Sequence, residues 1–447
     1  MEQTAITIVK AFQKSGFEAY FAGGSVRDML MEKNPEDYDI ATSATPDEIE
    51  KVVDELHLES KTIPIGKEFG VMLGIVNGHQ FEIATFRSDS SYSDGRRPDA
   101  VLFTNAKEDA VRRDFTINGL FYDPISKEIF DYIDGQKDIK NKVVRFIGEA
   151  HERIKEDHLR ILRAVRFRNN LEFEYGPNTK KAIQELSHLI EGVSVERIQE
   201  DMTKMLMHPR RSHSMRELEQ FGILEHLIPE LLECKDVEQP HEYHQEGGVL
   251  THIFKALHEL PEEWASKELV WAILLHDVGK PRTFDKRTDR IHFDGHAELS
   301  AKMAKTILQR LKFSRAEIKK ITWLIDHHMT IGYIPEMKRS HQVALYWHLW
   351  FEDLMRLHWC DESGSVPADL SLYDTVMKLY HEFKDEKLLE SHFKPFFTGD
   401  ELMKKFNLEA GPIISDILKN LREAHVEGEV TTKEAAGEWV ENYLNAR

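Results

Sequence analysis

The sequence contains little of what secreted or membrane-bound chains need. Its 447 residues include only two cysteines, Cys234 and Cys360, which lie too far apart for a paired-cysteine metal motif. We interpret both as buried apolar residues of a protein in a reduced compartment. No window reaches the run of about 18 apolar residues that a membrane helix requires, and residues 1–10 lack the basic and apolar segments of a secretory signal. We therefore expect a cytoplasmic protein without membrane association.

Positive charge is also scarce. Lys and Arg number 59 against 78 Asp and Glu, which gives a formal net charge of −19. This balance argues against a general nucleic-acid coat, which needs Lys and Arg to neutralise phosphates, but it leaves room for a local basic groove. Gly and Pro are too sparse for long disordered tracts, and the chain exceeds the size of a single hydrophobic core. At least two domains are expected.

Helix and strand signals alternate in the first third of the chain, as in an α/β domain. Strands are predicted over 18–22 and 38–41, and a hairpin over 69–86 turns at Asn77-Gly78, which suits a type I′ turn. From about Ala150 onward apolar residues recur at helical spacing, so this part is predicted to be all-helical. The fold class is therefore α+β. In chain order, the predicted domains are an α/β head over 1–148, a helical neck over 149–235, a His-rich helical domain over 236–395 and a helical tail over 396–447.

A glycine pair and an acidic cluster follow each other closely in the head. Gly23-Gly24, between a strand and a helix, offers backbone N–H groups to a phosphate, although such a pair is more often a plain turn. Asp37 and Asp39 are predicted to share one face of a strand, where two carboxylates can hold Mg²⁺. This combination is typical of two-metal phosphoryl transfer. For the acidic pair alone, a solvated turn is an equal alternative.

Five motifs follow one another through the head and neck: GGSVRD with DYD, RRDFTIN, DYIDG, EDHLR and SVER. In this order they resemble the motifs of class II CCA-adding enzymes and bacterial poly(A) polymerases, whose head is of the DNA polymerase β-like nucleotidyltransferase type. The resemblance implies that Asp37 and Asp39 are catalytic Mg²⁺ ligands. The nucleotide-binding residues that it suggests are Gly23, Gly24, Arg27, Asp28, Arg113, Asp114, Asn118, Asp157, Arg160, Arg163 and Arg166.

The EDHLR motif also has a direct physical interpretation. Asp157, Arg160 and Arg163 are predicted on one helix, where an Asp acceptor and an Arg donor can read the Watson–Crick edge of a base. Asp157 would accept from the exocyclic amine that CTP and ATP share, which selects C and A over U and G. A salt-bridged, solvated helix face is the alternative. The predicted RNA groove consists of Arg96, Arg97, Arg163, Arg166 and Arg168.

Two further head features add to the predicted site. Glu82, on the second strand of the hairpin, is a candidate third catalytic carboxylate that assists deprotonation of an RNA 3′-hydroxyl; an exposed strand Glu is equally plausible. The polar loop, 87–98, resembles the flexible loop that family members need for adding A.

Histidines cluster in the second half of the chain, where the stretches LLHDVGKP, GH, IDHHM and LHWCDE occur in order. Imidazole and carboxylate side chains suit divalent metals. These stretches resemble the signature of the HD phosphohydrolase superfamily. The resemblance implies a first divalent metal, of unidentified type, on His252, His276, Asp277 and Asp361, and a second completed by His296 and His328. His327 is a nearly equal alternative to His328, and the histidines assigned to core or surface are His241, His244, His258 and His292.

The leading functional hypothesis is addition of CCA, from CTP and ATP, to the 3′ end of tRNA by Mg²⁺-dependent nucleotidyl transfer without a nucleic-acid template. An A-adding enzyme or a poly(A) polymerase would use the same motifs. The resemblance to HD phosphohydrolases leaves two alternatives for this domain: a second activity, as a phosphatase or phosphodiesterase, or a relic that serves to bind RNA. A chain that is chiefly an HD phosphohydrolase with an RNA-binding head is less favoured, and the sequence does not indicate the oligomeric state.

Overall fold

The computed structural model describes residues 1–56, 59–90, 100–287, 290–385 and 395–446. They form two compact units, Met1–Leu232 and Glu233–Arg447. The first unit contains a sheet and helices and the second is mainly helical, which confirms the predicted α+β class. No helix among the described residues is long and apolar enough to cross a membrane. The predicted domain borders at 148, 235 and 395 stay predictions.

A seven-stranded sheet forms the centre of the head. The strands of the first unit are β1 Ala19–Ala22, β2 Asp39–Thr42, β3 Ser60–Gly66, β4 Val71–Val76, β5 His79–Thr85, β6 Arg87–Asp89, β7 Val101–Phe103, β8 Phe121–Asp123, β9 Glu128–Phe130, β10 Val143–Val144 and β11 Glu174–Tyr175. The large sheet has the spatial order β3-β4-β5-β2-β1-β8-β9. Its β2–β5 pair is parallel and its other neighbouring pairs are antiparallel.

The predicted hairpin is confirmed as β4 and β5. Asn77 and Gly78 have φ values of 52° and 75°, the left-handed conformation that a type I′ turn requires. Buried and half-buried residues alternate strictly along β4, because successive side chains of a strand point to opposite faces of the sheet. The hairpin therefore delivers β5 to the sheet centre, beside β2.

Helices cover the sheet and continue into the neck. Those of the first unit are α1 Glu2–Lys14, α2 Gly24–Leu30, α3 Pro46–Asp54, α4 Ala106–Arg112, α5 Gly135–Lys140, α6 Ala150–Glu156, α7 Arg160–Leu171, α8 Pro177–Leu186, α9 Val195–Met207, α10 Arg211–Gln220, α11 Leu224–Leu227 and α12 Pro229–Leu232. Ala106 and Ala110 of α4 form one buried cluster with Ala22 and Ala41 of the sheet. Small side chains on both sides bring α4 close to the strand ends that carry the acidic motif.

Three sequence predictions about local structure were wrong. Asp37 precedes β2, which begins at Asp39, so the two carboxylates do not share a strand. Asp157 lies between α6 and α7 with extended backbone angles, φ −143° and ψ 104°, rather than on a helix. The part from Ala150 onward also contains strands, because β11 pairs with β10 and a short hairpin follows in the second unit. Strands of two or three residues are too short to show a period in the sequence.

The predicted polar loop over 87–98 is only partly described. Ser88 and Asp89 belong to β6, which pairs with β7, so the loop begins later than predicted. Its positions Tyr92, Asp94, Arg96, Arg97 and Pro98 lie outside the described residues.

The second unit is built from helices around one fully buried segment. Its elements are α13 Val249–Glu259, α14 Lys267–Leu275, α15 Lys280–Thr283, β12 Asp285–Arg287, β13 Arg290–His292, α16 His296–Arg310, α17 Arg315–His327, α18 Arg339–Tyr346, α19 Phe351–Gly364, α20 Ser371–Asp385, α21 Gly399–Phe406, α22 Pro412–Val426 and α23 Lys433–Asn445. The α14 residues from Leu269 to Leu275 are all buried, and α13, α16, α17 and α19 contact this helix. Both cysteines are buried, as predicted. Helices α21, α22 and α23 share a separate core.

Gly135→Ala should destabilise the first unit by about 1–3 kcal/mol, the usual cost of overpacking. An added Cβ would lie 2.3 Å from the carbonyl oxygen of Thr116 and would push the RRDFTIN turn away. All seven tryptophans belong to the second unit, so urea-dependent hydrogen exchange of first-unit peptides is the suitable measurement. Gly176→Ala is the matched control, because its φ of −57° and ψ of 144° suit any residue and the nearest atom lies at 3.5 Å. Equal stability of the two variants would contradict the steric argument.

Candidate active site and metal centre

The first unit contains a cavity of about 1200 Å³. Every head and neck residue predicted for catalysis or nucleotide binding lines it. Its acidic wall residues are Asp28, Glu36, Asp37, Asp39, Glu82, Asp89, Asp114 and Asp157, and its basic ones are Arg27, Lys33, Arg87, Arg112, Arg113, Arg160, Arg163, Arg166, Arg197 and Lys204. A cavity that combines both signs can hold a metal-bound polyphosphate, because carboxylates bind the metal and guanidinium groups bind the phosphates.

The acidic part of the cavity is created by the parallel pairing of β2 and β5. Ile40 is opposite Ile83 in this register, which places Asp39 and Glu82 at matching positions on adjacent strands. Burial, Glu82 and Asp37 together raise the pKa of Asp39 to about 7, and Arg113 opposes this shift. The carboxylates are therefore close enough to interact strongly.

The head carboxylates nevertheless remain spread out. Among the described residues, no set of three head carboxylates has its oxygens within 4.8 Å of one another. Asp37 and Glu82 are exposed and Asp39 is half-buried. The three carboxylates carry the same charge and repel one another. A cation that accepts oxygen ligands would offset this repulsion.

The glycine turn after β1 allows a close approach to these carboxylates. Gly23 has a φ of 71°, and a Cβ at this position would lie 3.2 Å from Arg113 Nη1 and 3.8 Å from Asp39 Oδ2. A residue with a Cβ would crowd the Arg113 guanidinium and would strain the backbone. The turn thus brings Arg113 to the metal-type carboxylates.

A continuous chain of hydrogen bonds joins the glycine turn to the neck. Arg27 donates from Nε to Asp28 Oδ1 at 2.9 Å and from Nη1 to Asn118 Oδ1 at 2.8 Å. Asn118 donates to Asp114 Oδ1 at 3.2 Å. Arg163 of α7 donates from Nε to Asp114 Oδ2 at 2.7 Å. Burial alone would raise the pKa of Asp114, but the Arg163 guanidinium lowers it to about 2, so this carboxylate stays ionised.

The predicted base-reading pair is divided between two networks. Asp157 accepts from Arg197 Nη1 at 3.0 Å and Nη2 at 2.7 Å, so both of its oxygens face one guanidinium. Arg160 is only 6% exposed and donates from Nη1 to Glu156 Oε2 at 2.7 Å and to the Arg153 carbonyl at 2.8 Å. Both side chains line the cavity, but in this arrangement each already has a partner.

Of the arginines predicted for an RNA groove, Arg163, Arg166 and Arg168 are described, and each contacts a carboxylate. Arg166 contacts Asp201 at 2.9 Å, and Arg168 donates to Glu174 at 3.3 Å. RNA phosphates would therefore compete with carboxylates of the same chain for these groups.

Two residues of this site were missed by the sequence analysis. Asp109 of α4 is 1% exposed and accepts from Arg112 Nε at 2.8 Å and from Arg113 Nε at 3.1 Å. Its position three and four residues before these arginines was the available signal. The Phe167 ring lies 4.8–5.4 Å from the guanidinium groups of Arg27, Arg163 and Arg166, which no spacing rule would have indicated.

The second unit gathers the predicted HD residues into two adjoining groups. One group contains His252, His276, Asp277 and Asp361, and the other contains Asp277, His296 and His328; within each, the ligand atoms lie within 4.8 Å of one another. Asp277 is common to both groups. The His252 Nε2 to Asp361 Oδ1 distance is 2.7 Å, and the His296 Nε2 to His328 Nε2 distance is 3.3 Å.

The donor set of this cluster fits divalent metals. Nδ1 forms a hydrogen bond with a backbone carbonyl oxygen in His276, His296 and His328, at 2.8, 2.8 and 2.6 Å. This leaves Nε2 of each ring facing the cluster. The buried atoms His276 Nε2 and Asp277 Oδ1 have no hydrogen-bond partner among the described residues. Burial and His276 lower the pKa of His328 to about 4, so its imidazole is neutral, as a metal ligand must be. A metal ion would satisfy these atoms.

The adjacent histidines at the end of α17 point in different directions. His328 is 3% exposed and belongs to the cluster. His327 stacks on Trp323, with ring centroids 4.4 Å apart, and lies outside both groups.

Three residues beside the cluster were not predicted to contribute. Lys280 Nζ lies 2.6 Å from Asp277 Oδ2, although it was already visible in the HDVGK stretch. Glu246 contacts both His252 and His244. His244 had been assigned to core or surface, but the structure places it next to the metal-type cluster.

Models of three families match the chain in order. "Poly A polymerase head domain" matches residues 19–145, "Probable RNA and SrmB- binding site of polymerase A" matches 172–235, and "HD domain" matches 248–379. The CCA-adding enzyme of Staphylococcus epidermidis is 30% identical over 444 residues, which cover 99% of this chain and 98% of that protein. The chain belongs to the CCA-adding enzyme family.

Solved structures of family members share the fold. The crystal structure of the Bacillus stearothermophilus CCA-adding enzyme in complex with CTP has a TM-score of 0.71 at 24% identity and covers 100% of this chain and 99% of that one. The Thermotoga maritima CCA-adding enzyme complexed with tRNA has a TM-score of 0.60 at 19% identity and covers 99% of this chain and 95% of that one. Membership confirms the resemblance drawn from the five motifs, and the nucleotidyltransferase and HD families use divalent metals.

Cation binding at the head should compete with a proton on Asp39. Below a pKa of about 7 the apparent affinity for Mg²⁺ should fall about tenfold per pH unit, because the protonated carboxyl is a poor ligand. Calorimetry at pH 6 in two buffers of different ionisation enthalpy measures the released proton. An Asp277→Ala background removes the second cluster.

Glu82→Gln is the informative variant for this prediction. It removes a negative charge that raises the pKa of Asp39. The pH below which the apparent affinity for Mg²⁺ falls should therefore be lower in this variant. The raised pKa also means that the cation-free fold loses stability as the pH rises from the ordinary carboxyl range through 7. A proton release that is the same with and without Glu82 would contradict the proposed coupling.

Proposed function

We propose that this protein adds CCA, from CTP and ATP, to the 3′ end of tRNA without a nucleic-acid template. The observation that carries the proposal is the single cavity in which the carboxylates on β2 and β5, the glycine turn and the Asp157–Arg160 region meet. The relatives from Staphylococcus are named CCA-adding enzymes. The similarity extends over nearly the whole length of each relative and of this chain. We expect the reaction to take place in the cytoplasm.

The acidic side chains would position the reacting groups. Asp37 and Asp39 would hold Mg²⁺, which supplies Lewis-acid activation of a hydroxyl and charge neutralisation at the phosphates when bound. Glu82, at the position matching Asp39, would accept the proton of the RNA 3′-hydroxyl. The new bond joins this oxygen to the α-phosphorus of the nucleotide, and pyrophosphate leaves.

The polar chain from the glycine turn would hold the nucleotide. Arg113, beside Gly23 and Asp39, is placed to bind phosphate oxygens close to the carboxylates. Arg27 and Asn118 are fixed against each other and against Asp114, which restricts the sugar and phosphates to one orientation. Because these side chains are already ordered before the nucleotide binds, its binding costs less conformational entropy.

Base selection would use Asp157 and Arg160 on the opposite side of the nucleotide. Asp157 can accept from an exocyclic amine, and Arg160 can donate to a ring nitrogen. Arg160 is held by Glu156, so base reading requires it to exchange that partner for the base edge. Arg197 would keep Asp157 oriented during this exchange.

The decisive assay supplies labelled CTP and ATP, separately and together, to tRNA transcripts that end before CCA, after C and after CC. We expect CCA to be completed and addition to stop. Asp39→Ala should lower the rate by more than about 100-fold, beyond the loss that outer-shell partners of a metal usually cause, whereas Asp277→Ala should leave it unchanged. Use of ATP only, on CC ends, would identify an A-adding enzyme, and addition without termination would identify a poly(A) polymerase.

Asp157→Ala should weaken the discrimination against UTP and GTP. Without the acceptor, C and A lose the hydrogen bond from the amine at C4 or C6, where U and G carry a carbonyl oxygen that cannot donate. This bond is worth about 1–3 kcal/mol, or roughly 5- to 150-fold. Relative kcat/KM for the four nucleotides measures the effect. Lys204→Met, which changes another cavity residue that pairs with exposed Glu200, serves as control. Unchanged ratios in Asp157→Ala would refute the base-reading role.

The histidine cluster favours a second activity, hydrolysis of a phosphomonoester or cyclic phosphodiester at a divalent-metal site. His252, His276, Asp277 and Asp361 would hold one metal, and His296 and His328 would complete a second with Asp277. The metals would supply an activated water when bound. Hydrolysis lost in Asp277→Ala and kept in Asp39→Ala would assign this activity to the second unit.

A further inference from the structure

Glu246 is a buried carboxylate immediately outside the histidine cluster. Its side chain has no exposed surface. Oε1 accepts from His252 Nδ1 at 3.0 Å and from His244 Nδ1 at 2.8 Å, and Oε2 accepts from the backbone N–H of Val366 at 2.9 Å. The carboxylate therefore connects the start of α13 with the chain that follows α19, the helix carrying Asp361.

The contact with His252 differs from those of the other cluster histidines. Nδ1 of His276, His296 and His328 faces the carbonyl oxygen of the residue three positions earlier, an arrangement that the local backbone provides. Nδ1 of His252 faces a negatively charged side chain instead. A carboxylate partner fixes the tautomer and makes the opposite ring nitrogen a stronger donor to a metal. His252 belongs to the group with His276, Asp277 and Asp361, and its atoms also lie close to those of His244 and Glu246, but it is not in the group of Asp277, His296 and His328.

We propose that Glu246 is a positioning residue that strengthens metal binding at the His252, His276, Asp277 and Asp361 group and leaves the group of Asp277, His296 and His328 unaffected. The two metal positions would then differ in affinity because only one has a charged outer-shell partner. This inference rests on the proposed metal centre and goes beyond it, since it assigns a cause and a direction to a difference between the two positions.

A purely structural role makes a different prediction. Gln245 N–H donates to the Val366 carbonyl at 2.9 Å, so the segment around Glu246 also holds two stretches of chain together. If this were the only role, loss of His244 and loss of the Glu246 charge would have similar consequences. If Glu246 acts through His252, His244→Ala leaves the important hydrogen bond in place, and only Glu246→Gln removes the charge behind it.

The experiment measures Mn²⁺ binding to the full-length, chelator-treated protein by calorimetry. All variants carry Asp39→Ala so that the head does not contribute. Glu246→Gln should weaken one of two binding steps by about 10- to 100-fold and leave the other within about threefold. His244→Ala and Glu242→Gln, which removes an exposed acid four residues earlier, should leave both steps within about threefold. Tryptophan fluorescence of Glu246→Gln should equal that of the parent, which shows that the second unit is folded, because all seven tryptophans belong to it.

Three results would overturn the proposal. Equal weakening of both steps, or weakening by His244→Ala as large as that by Glu246→Gln, would assign Glu246 a structural role only. Unchanged isotherms in Glu246→Gln would exclude any role in metal binding. A parent that binds no more Mn²⁺ than Asp277→Ala would refute the metal centre itself, and this outcome is distinct because the comparison does not involve Glu246.

Discussion

The ion pair between Asp114 and Arg163 is the interaction on which the first unit depends. It joins the turn after α4 to helix α7 and so helps to fix the carboxylates of the sheet relative to the Asp157–Arg160 region. A charge removed from water is costly unless it is paired and hydrogen-bonded. Asp114 satisfies this condition because Asn118 donates to its other oxygen, and the low pKa of its carboxyl keeps the pair charged over the whole physiological range.

The chain contains two metal-type sites of opposite character. The head offers three spread carboxylates in an open cavity, a set that favours hard cations such as Mg²⁺ and leaves space for polyphosphate. The second unit offers four buried imidazoles and two carboxylates with their ligand atoms close together, a set that suits harder and softer divalent metals alike. An open site can exchange its cation with each substrate, whereas a buried site retains it.

Although the net charge is −19, arginines line the cavity of the first unit, so a nucleic acid can meet positive charge there. These arginines are held by partners of the same chain. Arg163 and Arg166 of the cavity both contact carboxylates. The substrate must displace some of these contacts, so affinity is moderated and the geometry of the bound phosphates is selected. A protein that adds a few nucleotides and then releases its product benefits from this moderation.

The sequence by itself determined the order of the elements, the hairpin at Asn77-Gly78 and the identity of the side chains that meet, since turn chemistry and motif spacing are local properties. It predicted Asp39, Asp277 and His252 as candidate site residues for the same reason, and the structure places Asp39 in the cavity and the other two in the histidine cluster. Only the tertiary structure decided that Asp37 precedes its strand, that Asp157 pairs with Arg197 and that Glu246 supports His252. The first depends on where a strand begins, the second on a contact across 40 positions, and the third on a contact across six positions between α13 and the segment before it. None of these leaves a periodic trace in the sequence. The choice of His328 over His327 was also a tertiary decision, because two adjacent helical residues differ by about 100° in direction and only packing shows which one faces the cluster.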